Sequence, residues 1–202
     1  LLGFSILSAQ DIKKTPRVFG KPIASEKISP EGYIRCASDE YEEYLQSIDP
    51  KRKTNTEFEA WLAPLIDQYK TNQTLSSQSG GIITIPVVVH VIHNGDLYGT
   101  NENISDEQVQ SQITVMNQDF RKMSGTPGFG AGVDTQVQFA LAKVDVNGNP
   151  TNGINRVNLC DASWSTADIN SYVKPTTIWD PTQYMNMWSV NFSDGTLLGY
   201  AQ

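Results

Sequence analysis

"GIITIPVVVHVIHNG", residues 81–95, is an unbroken run of Ile and Val closed by an Asn-Gly turn signal. Such a run suits a strand buried on both faces, where no alternation of polar residues is needed. Pro86 stands near its start, where a missing backbone donor is tolerated. The two histidines of the chain, His90 and His93, both lie in this run. On a strand, positions i and i+3 point to opposite faces. The pair therefore reads as packing or a strand-end hydrogen bond, not as a chelating pair.

Downstream, Ser105 and Gln108 form a capping-box signature for a helix through about residue 122, with Val109, Ile113, Met116 and Phe120 on one face. "TQVQFALAKVD" (135–145) alternates and predicts a second strand. "VDVNGNPTNG" (144–153) has the composition of a calcium loop but not the spacing of an EF-hand, and reads as a turn. A short helix is expected near residues 165–173. "MNMWSVNFSDGTLLGYAQ" (185–202) predicts a terminal hairpin about Asp194-Gly195. A strand, a helix, a strand and a hairpin make an α/β (α+β) layer: a mixed twisted sheet with a helix packed on it.

Upstream, the composition changes. Residues 11–70 carry dense, nearly balanced charge; residues 71–202 are richer in Asn, Thr, Ser and Gly. The shift falls across "KTNQTLSSQSGG" (70–81), which reads as an exposed linker. Asp39 with Glu42 predicts a capped helix over about residues 40–48. Thr54 with Glu57 predicts another, bearing an apolar stripe of Phe58, Trp61, Leu62, Leu65, Ile66 and Tyr69 with a kink at Pro64. That stripe is expected to cover the second region, unless the two helices form a minidomain of their own. "LLGFSILSAQ" (1–10) reads as the end of a signal peptide with a small-residue cleavage site, or else as a buried strand or helix. The first reading places the protein outside the cell, secreted. The division expected is thus 1–10 leader, 11–81 helical region and linker, and 82–202 main domain. The chain also reads as a fragment of a longer precursor.

A net charge of −7 argues against nucleic acid and anionic membranes as partners, and no apolar run is long enough to span a bilayer. There is no P-loop, no G-x-S-x-G and no Cys-x-x-Cys, and no residues complete a catalytic constellation. The two cysteines, Cys36 and Cys160, admit either a disulfide or thiols kept free.

"IRCASDEYEEYL", "IPVVVHVIHNG", "ISDEQVQSQITVMNQDFRK", "GINRVN" and "YMNMWSVNFSDGTLLGYAQ", in that order, resemble the pappalysin-like family of secreted bacterial zinc metalloproteases, which belong to the metzincins. The resemblance runs from about Arg35 to the last residue, and implies that 11–81 is a helical pro-segment with its linker and 82–202 the N-terminal subdomain of the catalytic domain. It implies a parent enzyme that hydrolyses peptide bonds of protein or peptide substrates with zinc-activated water. The family's H-E-x-x-H-x-x-G-x-x-H motif is absent here, so the zinc ligands are expected mostly in a missing C-terminal catalytic half, this chain's own partner. Calcium is left open as a second ion. By the same resemblance, Cys36 in its Arg35-Cys36 context is the metal-binding thiol of the latent zymogen. Leu197, Leu198, Gly199, Tyr200, Ala201 and Gln202 form the edge strand that pairs with substrate. Cys160 is then buried, or paired outside this chain. The rival reading is a non-enzymatic extracellular binding module with an acidic α/β surface and a helical arm.

Overall fold

The computed structural model describes residues 15–75 and 81–201. The expected leader at residues 1–10 lies outside them. The chain divides into two compact units, one of Leu1–Ala60 with Gly195–Gln202, the other of Trp61–Asp194.

In the first unit a small antiparallel hairpin, β1 (Arg17–Val18) and β2 (Lys21–Pro22), leads through a 3-10 turn to helix α1 (Ser38–Ile48). The Asp39–Glu42 box is not formed. The helix starts at Ser38, with no side-chain cap on Ala37. Both carboxylates are drawn to cations instead: Asp39 to Lys27 and Glu42 to Arg52. The unit's core holds Val18, Ile23, Ile34, Ala37, Tyr41 and Leu197.

Helix α2 (Asn55–Leu75) begins at the expected box. The Thr54 N–H donates to Glu57 Oε2 (2.8 Å), and Glu57 N–H donates to Thr54 Oγ1 (3.3 Å). The helix continues past Pro64 and through the Lys70–Leu75 part of the expected linker, where Thr71 Oγ1 donates to Asp67 O. The strong helix formers ahead of the polar stretch carry it onward, and residues 76–80 lie outside the described chain. The apolar stripe is not buried as expected: Phe58, Trp61, Leu65, Ile66 and Tyr69 all stay substantially exposed.

In the second unit, β3 (Ile83–His93) is the buried strand that its sequence predicts, with Val87, Val88, His90, Val91 and Ile92 almost fully enclosed. Helix α3 (Asp106–Phe120) opens on the Ser105–Gln108 box and lays Val109 and Ile113 on the strand. Each such buried aliphatic side chain contributes about 1.5–3 kcal/mol of transfer free energy. Asn117 fixes the helix to β4 (Val137–Leu141) by bonding both N–H and C=O of Phe139. A further strand, β5 (Ile154–Asn158), lies in the "GINRVN" segment. Then come α4 (Thr166–Asp168), a π turn (Ile169–Val173), α5 (Lys174–Thr177) and β6 (Met185–Ser189).

β4, β5 and β6 all pair with β3 in parallel. Val87 O accepts from Ala142 N and Val89 N donates to Gly153 O, so β4 and β5 lie in tandem along one edge of β3. β6 takes the other. The expected α/β class holds, with both parallel and antiparallel pairs in the chain. The terminal hairpin does not form. Residues 195–201 belong to the first unit, where Leu197 bridges Ile34 in parallel register.

Candidate functional site

The 195–201 segment and the arm of residues 15–48 are joined by three backbone bonds, two at Ile34 and one at Ala37. Ile34 N–H donates to Thr196 O (2.8 Å), Leu198 N–H to Ile34 O (2.9 Å), and Ala37 N–H to Gly199 O (3.0 Å). Ala201 N–H donates to Ser38 Oγ (2.7 Å). Leu197 and Ile34 are buried where the two segments cross, whereas Leu198 points to solvent. The supposed rim residues Leu197–Ala201 are thus occupied by the chain's own N-terminal arm. Gln202 lies outside the described residues.

Cys36 sits in the middle of this ladder, between Ile34 and Ser38. Its thiol is free and exposed, with Sγ 3.2 Å from Ser38 Oγ. Cys160 is also a free, exposed thiol, so neither the disulfide nor a buried Cys160 is present. Its backbone has φ of +58° and its N–H donates to Asn158 Oδ1.

Three further features hold the arm. Lys27 Nζ reaches Asp39 Oδ2 (2.9 Å) and Glu40 Oε1 (2.8 Å). These bonds, Glu40 first, raise the ammonium pKa well above its ordinary value. Glu40 is buried, and its Oε2 has no hydrogen-bond partner among the described residues. Arg52 forks onto Glu42, Nη2 to Oε2 at 2.6 Å and Nε to Oε1 at 2.9 Å, and holds that carboxyl below the usual range. Finally, Phe19 at the hairpin tip meets Tyr41, Tyr44 and Tyr200. Sequence reasoning missed Phe19, Ser38 and Lys27. The one available signal was Phe19-Gly20 between Arg17-Val18 and Lys21-Pro22, and Phe is an unusual first residue for such a turn.

The histidines behave as their strand positions dictate. His90 is fully buried, its Nε2–H donating to Asn186 Oδ1 (2.8 Å) and its Nδ1 accepting from Asn155 Nδ2 (3.0 Å), with the ring stacked on Trp188. Burial pushes its pKa down, keeping it neutral. His93 accepts from Gly95 N–H at the strand end. In the 144–153 segment Asp145 accepts from the amides of Asn147 and Asn149, which makes it a turn. Among the described residues no three His, Cys, Asp or Glu side chains converge to hold a metal ion. A metal would find one soft donor on the arm, the Cys36 thiol.

No protein-family model matches the chain, and no curated protein does. Solved structures do. Mirolysin in complex with compound 9 is 38% identical, with a TM-score of 0.51 over 61% of this chain and 47% of that one. Mature mirolysin of Tannerella forsythia in complex with a cleaved peptide is 40% identical, with a TM-score of 0.52 over 62% and 47%. A promirolysin mutant of the same organism, E225A, is 34% identical, with a TM-score of 0.49 over 75% and 53%. Mirolysin is a metalloprotease. This chain spans about half the length of each of these structures and shares the α/β fold of that metalloprotease over the aligned part.

Proposed function

We propose that the chain is the pro-segment and N-terminal catalytic portion of a secreted zinc metalloendopeptidase of the pappalysin-like metzincin family. The observation that carries this reading is the ladder between Ile34–Ser38 and Thr196–Ala201. A segment whose backbone groups can bind an extended peptide is here satisfied by the chain's own arm. An arm so placed excludes other peptides from the same groups. Likeness to mirolysin, solved with a cleaved peptide, supports peptide hydrolysis as the activity of the whole protein and peptides as its substrates.

In this reading the Cys36 thiolate is the arm's ligand to a zinc ion. The remaining ligands are assigned to the part of the similar structures that this chain does not span. Zinc, when bound, supplies Lewis acidity toward water and carbonyl. The residues present here hold the peptide and the arm. Leu197–Ala201 present backbone donors and acceptors to the peptide, Ser38 fixes the approach of Ala201, and Cys36 closes the site until the arm is cut.

The experiment compares peptide hydrolysis by the full-length precursor before and after removal of the arm, with and without chelator. Hydrolysis that appears on arm removal and disappears with chelator is expected. A protein inactive in every state, yet well folded, would move the reading to a non-enzymatic binding module.

A further inference from the structure

Phe19 occupies a backbone position that a phenylalanine does not favour. Its φ is +51° and that of Gly20 is +73°, the left-handed pair of a tight hairpin turn in which Asn-Gly would sit without strain. What Asn could not supply is the ring. Phe19 packs at 5.0 Å and 76° on Tyr200, and Tyr41 from helix α1 packs at 4.8 Å and 66° on the same ring. The two arm rings lie 4.6 Å apart, with Tyr44 at 5.9 Å from Phe19 closing the cluster. Edge-on geometry of this kind is the favourable one for aromatic pairs.

Tyr200 is the one aromatic residue of the Leu197–Ala201 segment. The arm's hydrogen bonds fall on both sides of it, at Gly199 O and at Ala201 N. The arm covers that ring with Phe19 and Tyr41. Both rings come from outside the paired Ile34–Ser38 stretch, so removing the arm uncovers the Tyr200 ring beside the backbone groups that a peptide would use.

We propose that Tyr200 is a side-chain recognition platform for a large apolar residue of the peptide substrate, and that Phe19 is the arm's own occupant of it. The inference rests on the protease reading above and adds to it a specificity-determining residue. The hairpin tip then acts as a second anchor of the arm, separate from Cys36.

The test uses the full-length protein. After maturation, peptides that differ at one position at a time are compared. At one position Phe or Leu should exceed Gly in kcat/KM by about tenfold, a typical return for an apolar contact. Tyr200→Ser should reduce that ratio to about twofold or less, and Tyr200→Leu should retain most of it. The other positions of the panel should keep their ratios, which a merely structural defect would not produce. An unchanged preference in Tyr200→Ser, or a uniform fall across the panel, would overturn the proposal. In the uncleaved precursor, Phe19→Ala should speed hydrogen exchange at the Ala37 and Ala201 amides; unchanged exchange at both would remove Phe19 as an anchor. The exchange measurement needs no activity. A precursor that never hydrolyses peptide therefore sinks the protease reading, and with it the substrate role of Tyr200, while exchange still decides the anchor.

Discussion

Replacing Lys27 with Met is the most informative change in the arm, because its two partners lie in different environments. The Asp39 side chain is 82% exposed, so its contact with Lys27 contributes only a few tenths of a kcal/mol, about what surface pairs give. The Glu40 side chain is 8% exposed, and one of its oxygens already lacks a partner among the described residues. Lys27→Met strips the other oxygen as well. A buried carboxylate left without its cation costs about 3–5 kcal/mol when fully enclosed. Lys27 itself is 31% exposed, so water can reach part of the gap, and about 2–3 kcal/mol is the expected loss in stability of the first unit, because Lys27, Asp39 and Glu40 together fix the arm's own fold. The assay is hydrogen exchange at the Ile34 and Ala37 amides, whose bonds to Thr196 and Gly199 hold the arm. The loss corresponds to roughly 30- to 160-fold faster exchange. Adding Glu40→Gln to Lys27→Met should restore most of the protection by removing the orphaned charge. Lys21→Met is the control, because Glu43, its partner at 3.5 Å, is 63% exposed. Exchange within about threefold of wild type in Lys27→Met, a difference near 0.6 kcal/mol, would refute the argument. The ion pair should also fail only in strong alkali. A lysine whose folded pKa is raised stabilises fully below its unfolded value and loses that stability as pH climbs past it.

The described residues contain no convergent three-ligand metal site, so residues 1–202 purified alone should neither cleave casein nor retain one zinc per chain after dialysis; retained zinc with proteolysis would mean misassigned ligands. Limited proteolysis of the full-length protein should cut first between Leu75, the last helical residue of α2, and Ile82. First cuts within β3 would show that the core strand is accessible. His90 is held neutral by burial, so the second unit should lose stability as pH falls below about 6.5, the unfolded value, and through the depressed folded value. His90→Gln should flatten that dependence, and an equally steep profile in the variant would assign it to other groups.

The elements that could be read from the sequence are those whose signals are local. β3 declared itself by its β-branched run, and α2 and α3 by reciprocal capping boxes that form as written. β5 carries no such signal, because "INRVN" is short and half polar; it is held by its register on β3. The Asp39–Glu42 box failed because cations elsewhere in the fold, Lys27 and Arg52, compete for the same carboxylates. The Asp194-Gly195 hairpin failed for a related reason. The bonds of residues 196–201 are taken up by Ile34–Ser38, far away in sequence, and no turn signal encodes that pairing. The rim residues and Cys36 were named through family resemblance. That they meet one another was visible only in three dimensions.

The most direct test of the account is the reactivity of Cys36. In the 202-residue chain its thiol is free and exposed, so it should alkylate readily. In the zinc-loaded full-length precursor the same thiol should resist alkylation, then react once a chelator removes the metal, with Cys160 serving as the internal reference. Quantifying the alkylated peptides by mass spectrometry gives both rates from one sample. Protection of Cys36 that is lost on chelation is the predicted result. Equal rates with and without chelator would contradict the assignment of Cys36 as the ligand that keeps this protein latent.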